Sequence, residues 1–326
     1  MQAWQVEALT DPPSLRIREV PIPKIESGYY LVRVEATGLS FGDTLLIRGQ
    51  YHIKPNLPFI LGSELVGAIV EGEGGSLQIG TRIASSCHQG AAAEFALVPV
   101  THAIAVPRNI SSGEALALRG NFPTSLYALR EVGRLQPGET VLVHAGAGGV
   151  GSAAVVLAKW LGARVLTTVG SNSKIDAVEE IGADEVINYS ESNWVDKVKR
   201  LAPSGVDLVF DPVGGVVGEQ SLRCLAHGAR YMVIGFSGGN LTQLPANRLL
   251  LHNATAYGIL WGEVRKRNPV LASKLVEDIF RAYSCQEFNV LPGVNYEFSD
   301  APRALDELTN RITVGKSWLE VKNSYS

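Results

Sequence analysis

From residue 140 onward the sequence alternates short β-branched runs with helical patterns, and this alternation constrains the fold more than any other feature. The strand candidates are 140–144, 163–169, 185–189, 206–213 and 229–235, and the helix candidates between them are 151–161, 173–181, 194–201 and 219–226. The strand candidates are continuously apolar, as strands must be when helices cover both faces of their sheet. Repeats of this length form right-handed crossovers. The sequence therefore predicts an α/β fold with a doubly wound parallel sheet.

The turn between the first predicted strand and its helix is rich in glycine. Residues 144–151 read HAGAGGVG, in which Gly146, Gly148 and Gly151 fit the G-x-G-x-x-G spacing of a dinucleotide-binding turn. A backbone without Cβ atoms lets a pyrophosphate approach, and the helix N-terminus offers it N–H groups and partial positive charge. Within repeated strand–helix units, the motif predicts a dinucleotide site rather than a merely structural turn.

The end of the second predicted strand indicates which dinucleotide binds. Sites for NAD place an acidic residue there, which accepts hydrogen bonds from the ribose 2′-hydroxyl. Here residues 168–174 read TVGSNSK, so the first charge is Lys174 and the nearest acid is Asp176. A lysine attracts a 2′-phosphate that a carboxylate would repel. The loop predicts NADPH, and the alternative is that Lys174 is an ordinary exposed helix residue.

Composition excludes several classes of protein. The 326 residues are 46% hydrophobic and 19% charged with a net charge of −3, an ordinary globular mixture without the basic surface that nucleic acids or anionic membranes attract. Glycines interrupt the uncharged stretch Thr140–Ala158, so it reads as strand, turn and helix rather than as a membrane span. Three scattered cysteines and the absence of a signal-peptide pattern favour a cytoplasmic protein.

The regions on either side of the alternating segment differ from it. Short strands separated by glycine and proline fill the first 120 residues, a pattern typical of an antiparallel, barrel-like domain. The apolar run 254–262 reads as a further strand, which would be an aggregation hazard at a sheet edge unless it were paired. Asn268 and Pro269 predict the start of a helix. A last helix over 302–308 precedes a terminal strand, SWLEV.

Eight motifs carry a resemblance to a known family. They are VRVEATGLSFGD, RGQY, LGSELVGAIVEGEG, TSLYAL, HAGAGGVG, GADEVINY, FDPVGG and RITVGKSWLEV. In this order and spacing the chain resembles the zinc-free NADPH:quinone oxidoreductases (zeta-crystallin-like) of the medium-chain dehydrogenase/reductase superfamily. The resemblance implies a mostly β, GroES-like substrate and catalytic domain over 1–121, a Rossmann NADPH-binding domain over 122–262, and a return to the catalytic domain over 263–326.

Departures from the zinc alcohol dehydrogenases predict that no catalytic metal binds. Where those enzymes have a cysteine ligand this chain has Ser40, and where they have the histidine of G-H-E it has Ser63. Their four-cysteine structural lobe is also missing. Cys87 and His88 are adjacent, so on a strand they would point to opposite faces and chelate poorly. His144 is expected to be structural.

The resemblance also implies cofactor contacts and a partner. Gly170, Lys174 and Tyr189 match positions that hold the adenosine ribose and its 2′-phosphate, Arg311 matches a second phosphate contact, and Thr124 a position near the nicotinamide carboxamide. Relatives pair the strand matching 254–262 with its copy in a second subunit, so we expect a homodimer. The full set of expected cofactor-binding residues is Thr124, Gly146, Gly148, Gly149, Val150, Gly151, Gly170, Ser171, Lys174, Tyr189, Gly214, Gly235, Phe236 and Arg311.

The expected chemistry is hydride donation from NADPH to an electron-poor acceptor, a quinone or an α,β-unsaturated carbonyl. Tyr51 and Ser40 match cleft positions in the family and are the candidate proton donors, although Tyr51 could equally be a packing residue. Asp43 is expected to hold its loop. Two alternatives stay open, a 2-enoyl thioester reductase and an NADPH-binding protein with little turnover. The residues expected to make the substrate pocket apolar are Phe41, Leu45 and Trp261.

Overall fold

The computed structural model describes residues 1–72 and 74–322. The chain divides into two compact units. Unit 1 comprises Met1–Gly120 together with the chain from Pro292 onward, and unit 2 comprises Asn121–Leu291.

The described strands are β1 (Gln2–Ala8), β2 (Ser14–Glu19), β3 (Tyr29–Leu39), β4 (Phe59–Ile60), β5 (Glu64–Gly72), β6 (Arg82–Ser86), β7 (Phe95–Pro99), β8 (Ile104–Ala105), β9 (Thr140–Val143), β10 (Arg164–Val169), β11 (Glu185–Asn188), β12 (Val206–Asp211), β13 (Leu225–Val233), β14 (Thr255–Gly258), β15 (Val294–Glu297) and β16 (Ser317–Glu320). The described α-helices are α1 (Phe41–Leu46), α2 (Ser112–Leu126), α3 (Gly149–Trp160), α4 (Ile175–Glu179), α5 (Trp194–Leu201), α6 (Gly215–Ser221), α7 (Ala246–His252), α8 (Trp261–Arg267), α9 (Pro269–Ser284) and α10 (Ala301–Thr309). Short 3₁₀ segments lie at Val100–His102, Asn172–Lys174 and Phe298–Asp300, and a π-helical segment follows α2 at Tyr127–Val132.

Unit 1 is mostly antiparallel β structure, as its short strands and frequent turns predict. One sheet has the order β2-β1-β4, and a longer one has the order β15-β16-β3-β5-β6-β8, with β7 paired to β3. Separate apolar clusters fill the unit, one around Trp4 and Leu319 and another around Val32 and Ile83. The short helix α1 follows β3 closely and carries two of the predicted site residues, Phe41 and Leu45, while a third, Ser40, is its N-cap.

Unit 2 contains a six-stranded parallel sheet with the order β11-β10-β9-β12-β13-β14. Counted within the unit, this is the strand order 3-2-1-4-5-6 of a dinucleotide-binding doubly wound fold. The inner strands are buried on both faces, which explains their continuously apolar sequences. The predicted fold class is confirmed. The order reverses between β9 and β12, so the turns that follow these strands lie at the edge where such folds bind ligands.

Several predicted elements of unit 2 differ in detail, among them the strand expected at 229–235, which is β13 and begins already at Leu225. The helix expected at 219–226 begins earlier, as α6, because both the Val213 and the Gly214 backbone N–H groups donate to Asp211 Oδ1 and turn the chain at once. The helix expected at 173–181 is a 3₁₀ turn followed by the short α4. Of the apolar run 254–262 only Thr255–Gly258 is a strand, since α8 begins at Trp261.

The chain also returns to unit 1 later than the expected position 263. The helix α9 belongs to unit 2, where the Arg130 guanidinium lies 3.1 Å from the Asp278 carboxylate. The Phe288 ring, which follows α9, stacks on Phe122 with the ring centroids 5.3 Å apart. These contacts join segments about 150 residues apart, so the local pattern does not reveal them. The Asn268 cap itself is confirmed, because its side chain accepts a hydrogen bond from the Leu271 N–H at 3.2 Å.

Within residues 1–72 and 74–322, no helix has the length and apolar character needed to cross a membrane.

Candidate functional site

The turns that carry the predicted cofactor residues of unit 2 meet at one edge of its sheet. At the carboxyl end of β9, Val143 pairs with Thr167 of β10 and with Phe210 of β12. The register therefore brings together the segments that follow these strands, which contain the glycine-rich turn 144–151, the loop 170–174 and the turn at Gly214. Further pairs extend the same edge to Tyr189 after β11 and Gly235 after β13.

The three fingerprint glycines serve two different purposes. A Cβ atom at Gly146 would collide with the Thr167 side chain, and one at Gly151 would collide with the Ala145 carbonyl group. Close packing of the protein itself therefore requires these two glycines. Gly148 is different: of the described atoms, only the Ala145 carbonyl oxygen, at 3.3 Å, lies within 4 Å of where a Cβ would stand. Gly148 caps the N-terminus of α3, so open space lies in front of backbone N–H groups of the kind that bind phosphates in other proteins.

The loop after β10 is a polar cradle closed by the end of β11. The Tyr189 hydroxyl lies 3.0 Å from where a Cβ of Gly170 would stand, and the Ser190 hydroxyl donates to the Gly170 carbonyl oxygen at 2.9 Å. The Ser171 and Ser173 hydroxyls are 2.7 Å apart. Lys174 is half-buried, and this burial lowers the pKa of its ammonium group. Gly170, Ser171, Lys174 and Tyr189 thus lie together, whereas the Asp176 side chain is exposed on α4.

A second cluster lies at the ends of β12 and β13. Gly214 has a φ of 72°, a left-handed conformation that favours glycine, and a Cβ there would stand 2.8 Å from the Phe236 ring. Gly235 donates its N–H to the Asp211 carbonyl oxygen at 3.3 Å. The structure therefore brings Gly214, Gly235 and Phe236 together on the β12 side of the glycine-rich turn.

His144 has the structural environment that its position predicts. Its Nδ1 lies 2.8 Å from the Thr168 hydroxyl and its Nε2 lies 2.6 Å from the Ser221 hydroxyl, and the whole ring is buried. Burial lowers the pKa of the imidazole, against a weaker opposing effect of the Asp211 carboxylate. A neutral, doubly hydrogen-bonded histidine ties the end of β9 to β10 and α6.

In unit 1 the two candidate proton donors lie beside the same glycine. The Ser40 hydroxyl is 3.4 Å and the Tyr51 ring 3.6 Å from where a Cβ of Gly42 would stand. The Ser40 N–H and hydroxyl both donate to Asp43 Oδ2 at 2.7 Å, so Asp43 fixes the start of α1. Burial raises the pKa of Asp43, against the lowering effect of these two bonds. Burial, followed by the Asp43 charge, also raises the pKa of the Tyr51 hydroxyl.

An ion pair that acts on Asp43 was not predicted from the sequence. The Lys316 ammonium group bonds to Glu64 Oε2, and only 3% of the Lys316 side chain and 18% of the Glu64 side chain are exposed. A Cβ at Gly38 would stand 2.8 Å from Lys316 Cε, and one at Gly120 would stand 2.5 Å from the Glu64 carboxylate. Both charges act on Asp43. No sequence signal links these two residues, which are 252 positions apart.

The remaining predicted residues divide between the units. Thr124, on α2, and Trp261, whose ring centroid is 6.1 Å from that of Tyr127, belong to unit 2. Phe41, Leu45 and Arg311 belong to unit 1. Phe41 and Leu45 are half-buried on α1, and Arg311 is exposed after α10 with a φ of 57°.

The described residues 1–72 and 74–322 contain no group of three or more histidine, cysteine, aspartate or glutamate side chains that could hold a metal ion. Zinc sites in proteins need three or four such ligands. We therefore expect treatment with a strong chelator to leave both dinucleotide binding and any reductase activity unchanged. Metal analysis of the purified protein, before and after the treatment, provides the check. Stoichiometric zinc that leaves together with activity would contradict this prediction.

Comparisons with known proteins agree with this architecture. Residues 26–108 match the family model of the alcohol dehydrogenase GroES-like domain, and residues 149–277 match that of the zinc-binding dehydrogenases. The chain is 34% identical to quinone oxidoreductase-like protein 2 of Bos taurus over 94% of this chain and 89% of that protein.

Two solved structures are similar over nearly their whole length. The quinone oxidoreductase of Thermus thermophilus, solved also in complex with NADPH, is 32% identical with a TM-score of 0.86, covering 98% of this chain and 100% of that one. The Escherichia coli quinone oxidoreductase complexed with NADPH is 26% identical with a TM-score of 0.90, at the same coverage. Together with the fold, these matches show that the chain belongs to the quinone oxidoreductase (zeta-crystallin-like) family of the medium-chain dehydrogenase/reductase superfamily.

Proposed function

We propose that this protein is an NADPH-dependent reductase that transfers a hydride to a quinone or an α,β-unsaturated carbonyl without a metal. The observation that carries the proposal is the loop after β10, where Lys174 and two serine hydroxyls stand in place of the carboxylate that an NAD site would use. The Thermus thermophilus and Escherichia coli relatives, both named quinone oxidoreductases and both solved with NADPH, support it.

In this proposal the residues of unit 2 bind and orient the cofactor. The open face of Gly148 and the N–H groups at the start of α3 receive the pyrophosphate. Lys174 and Ser171 bind the 2′-phosphate, beside the Tyr189 hydroxyl. Gly235 has no Cβ, so its backbone leaves space for the cofactor on the β12 side of the glycine-rich turn. When bound, NADPH supplies the hydride.

The residues of unit 1 supply the proton that completes the reduction. Tyr51 keeps its hydroxyl protonated, because burial raises the pKa above the usual value of a tyrosine. Ser40 stands beside it with its orientation fixed by Asp43. The Tyr51 hydroxyl is suited to donate a hydrogen bond to a carbonyl oxygen, which withdraws electrons from the carbon that accepts the hydride. Ser40 has one hydroxyl proton, which it donates to Asp43, so it donates to a substrate only when that bond breaks.

Parallel acceptor assays test the proposal. NADPH oxidation is followed at its absorbance maximum with a simple quinone, a short enal and an enoyl-CoA, at matched concentrations and with added chelator. Turnover with the quinone or the enal supports the proposal. Turnover confined to the enoyl-CoA would instead identify a thioester reductase, and tight NADPH binding without oxidation by any acceptor would identify a cofactor-binding protein that is not a reductase.

We also propose that the protein is a homodimer joined through β14. This strand is the last of the six-stranded sheet, and Tyr257 on it is 37% exposed. An exposed edge strand offers a row of N–H and C=O groups to a second copy, and pairing with that copy satisfies them. Leu250 and Leu251, on the preceding helix α7, add exposed apolar surface.

We therefore expect light scattering at micromolar concentration to give twice the mass of the chain. Tyr257→Lys places a charge on the edge strand and should lower the mass toward that of a monomer. The control is Ile79→Lys, a substitution of an exposed apolar residue in unit 1, which should leave the dimer intact. A wild-type protein that is monomeric under these conditions would refute the proposal.

A further inference from the structure

The glycine-rich turn contains one glycine that the fingerprint spacing does not require. Gly149 follows the cap residue Gly148 and lies in the first turn of α3. Where its Cβ would stand, the nearest atoms are all from the Asn121 side chain: Nδ2 at 2.8 Å, Cγ at 3.1 Å and Oδ1 at 3.2 Å. The carboxamide of Asn121 thus lies directly against the N-terminus of α3, and any larger residue at 149 would displace it.

This carboxamide is buried and incompletely bonded. Asn121 is 9% exposed, and its Oδ1 has no hydrogen-bond partner among the residues that the structure describes. A buried amide oxygen without a donor destabilises the protein, and such groups in folded proteins call for an explanation. An apolar side chain of nearly the same shape would fill the position without the cost of that unpaired oxygen.

The backbone around Asn121 is fixed to the same turn. The Ser125 hydroxyl lies 3.2 Å from the Asn121 carbonyl oxygen and donates to the Val150 carbonyl oxygen at 2.9 Å. These contacts join α2 to the first turn of α3. The backbone that carries the carboxamide is therefore held next to the first turn of α3.

The position of Asn121 separates it from the adenosine end of the site. Gly146 faces Thr167 of β10 and Val178 of α4, which are the elements next to the 2′-phosphate loop. Gly149 instead faces α2. A dinucleotide that lies across this turn would have its adenosine ribose near β10, so the group nearest to Asn121 belongs to the other half of the molecule.

We propose that Asn121 is a cofactor-binding residue whose carboxamide oxygen accepts a hydrogen bond from a ribose hydroxyl in the nicotinamide half of the dinucleotide. The pyrophosphate has no proton to donate at neutral pH, so the donor must lie beyond it. The hydroxyls of the nicotinamide ribose are the first donors there, and the carboxamide N–H groups lie farther along the molecule. This inference rests on the proposed function, since it requires that a dinucleotide binds at the turn. In this proposal Gly149, the glycine that the fingerprint spacing does not require, makes room for a ligand-binding amide.

Asn121→Leu tests the proposal, because leucine has nearly the shape of asparagine without its polar atoms. We expect the dissociation constants of NADPH and NADH to rise by about the same factor, three- to tenfold, as for one lost hydrogen bond. Adenosine 2′,5′-bisphosphate lacks the nicotinamide half, so its affinity should not change. The melting temperature of the cofactor-free protein should stay the same or rise, because the substitution removes an unpaired buried oxygen.

Lys174→Ala is the matched control and should give the reverse pattern, with weaker binding of NADPH and of the bisphosphate and unchanged binding of NADH. An Asn121→Leu protein with unaltered affinity for both dinucleotides would overturn the proposal, as would an equal loss of affinity for the bisphosphate. If neither Asn121→Leu nor Asn121→Ala folded, the amide would have a structural role instead, and this result would also overturn the proposal. Wild-type protein that binds neither dinucleotide would instead refute the proposed function.

Discussion

Replacing Lys316 by methionine is expected to lower the free energy of unfolding by about 3–5 kcal/mol, the usual cost of removing one partner from a buried ion pair. Methionine keeps much of the length of the lysine side chain, so the loss comes from leaving the Glu64 carboxyl group without its partner in a nearly enclosed site. Gly38 and Gly120 pack against the pair closely, which leaves little room for water to solvate Glu64 in place of the ammonium group.

Chemical denaturation measures this effect, and the chain offers a matched control. Lys322 bonds to Glu297 on the surface, where 68% and 57% of the two side chains are exposed, so Lys322→Met should cause no measurable change. Adding Glu64→Gln to Lys316→Met removes the unpaired charge and should restore much of the stability. Equal losses from Lys316→Met and Lys322→Met would contradict the assignment of a buried ion pair.

Lys174→Ala is expected to raise the dissociation constant of NADPH by about tenfold to a hundredfold and to leave that of NADH unchanged. A charge-assisted hydrogen bond to a phosphate is worth roughly 1.5–3 kcal/mol, and 1.4 kcal/mol is tenfold in binding. The lost interaction exists only with the phosphorylated ribose. Titration of protein fluorescence with each dinucleotide separates the two effects.

Gly148→Leu controls for general damage to the cofactor site. Its side chain would enter the open space in front of α3, which the pyrophosphate of either dinucleotide needs. We therefore expect NADPH and NADH to lose affinity alike in this variant. If Lys174→Ala also weakened both cofactors alike, the lysine would not be the group that distinguishes them.

The fold of unit 2 could be predicted because its strands are buried on both faces. That burial gives continuous apolar runs, so β9 lies within one residue of its predicted bounds. The helix α5 has its predicted bounds because its apolar residues, Trp194, Val195 and Val198, recur at helical spacing. The start of α6 could not be predicted in the same way, because a side chain of β12, Asp211, determines where that helix begins. The late return to unit 1 depends on contacts of α9 with residues far away in sequence.

In the candidate site, too, the features that depend on local sequence could be predicted, and those that depend on distant residues could not. Lys174 could be predicted as a phosphate contact because the evidence is local: the second strand ends without a carboxylate, and Lys174 is the first charged residue after it. The ion pair of Glu64 with Lys316 was not visible, since the two residues meet only after β5 and the segment before β16 have been brought together. The unpaired oxygen of Asn121 was equally hidden, because a missing hydrogen bond becomes apparent only when every neighbour is known.

Binding of the two dinucleotides to the wild-type protein tests the central claim, that this chain has a site built for a 2′-phosphorylated ribose. Calorimetric titration of the intact protein with NADPH and with NADH, in one buffer at moderate ionic strength, gives both dissociation constants. With Lys174 as the charged contact of the 2′-phosphate, we predict that NADPH binds about tenfold to a hundredfold more tightly, or roughly 1.4–2.7 kcal/mol. Equal affinities for NADPH and NADH would contradict the account.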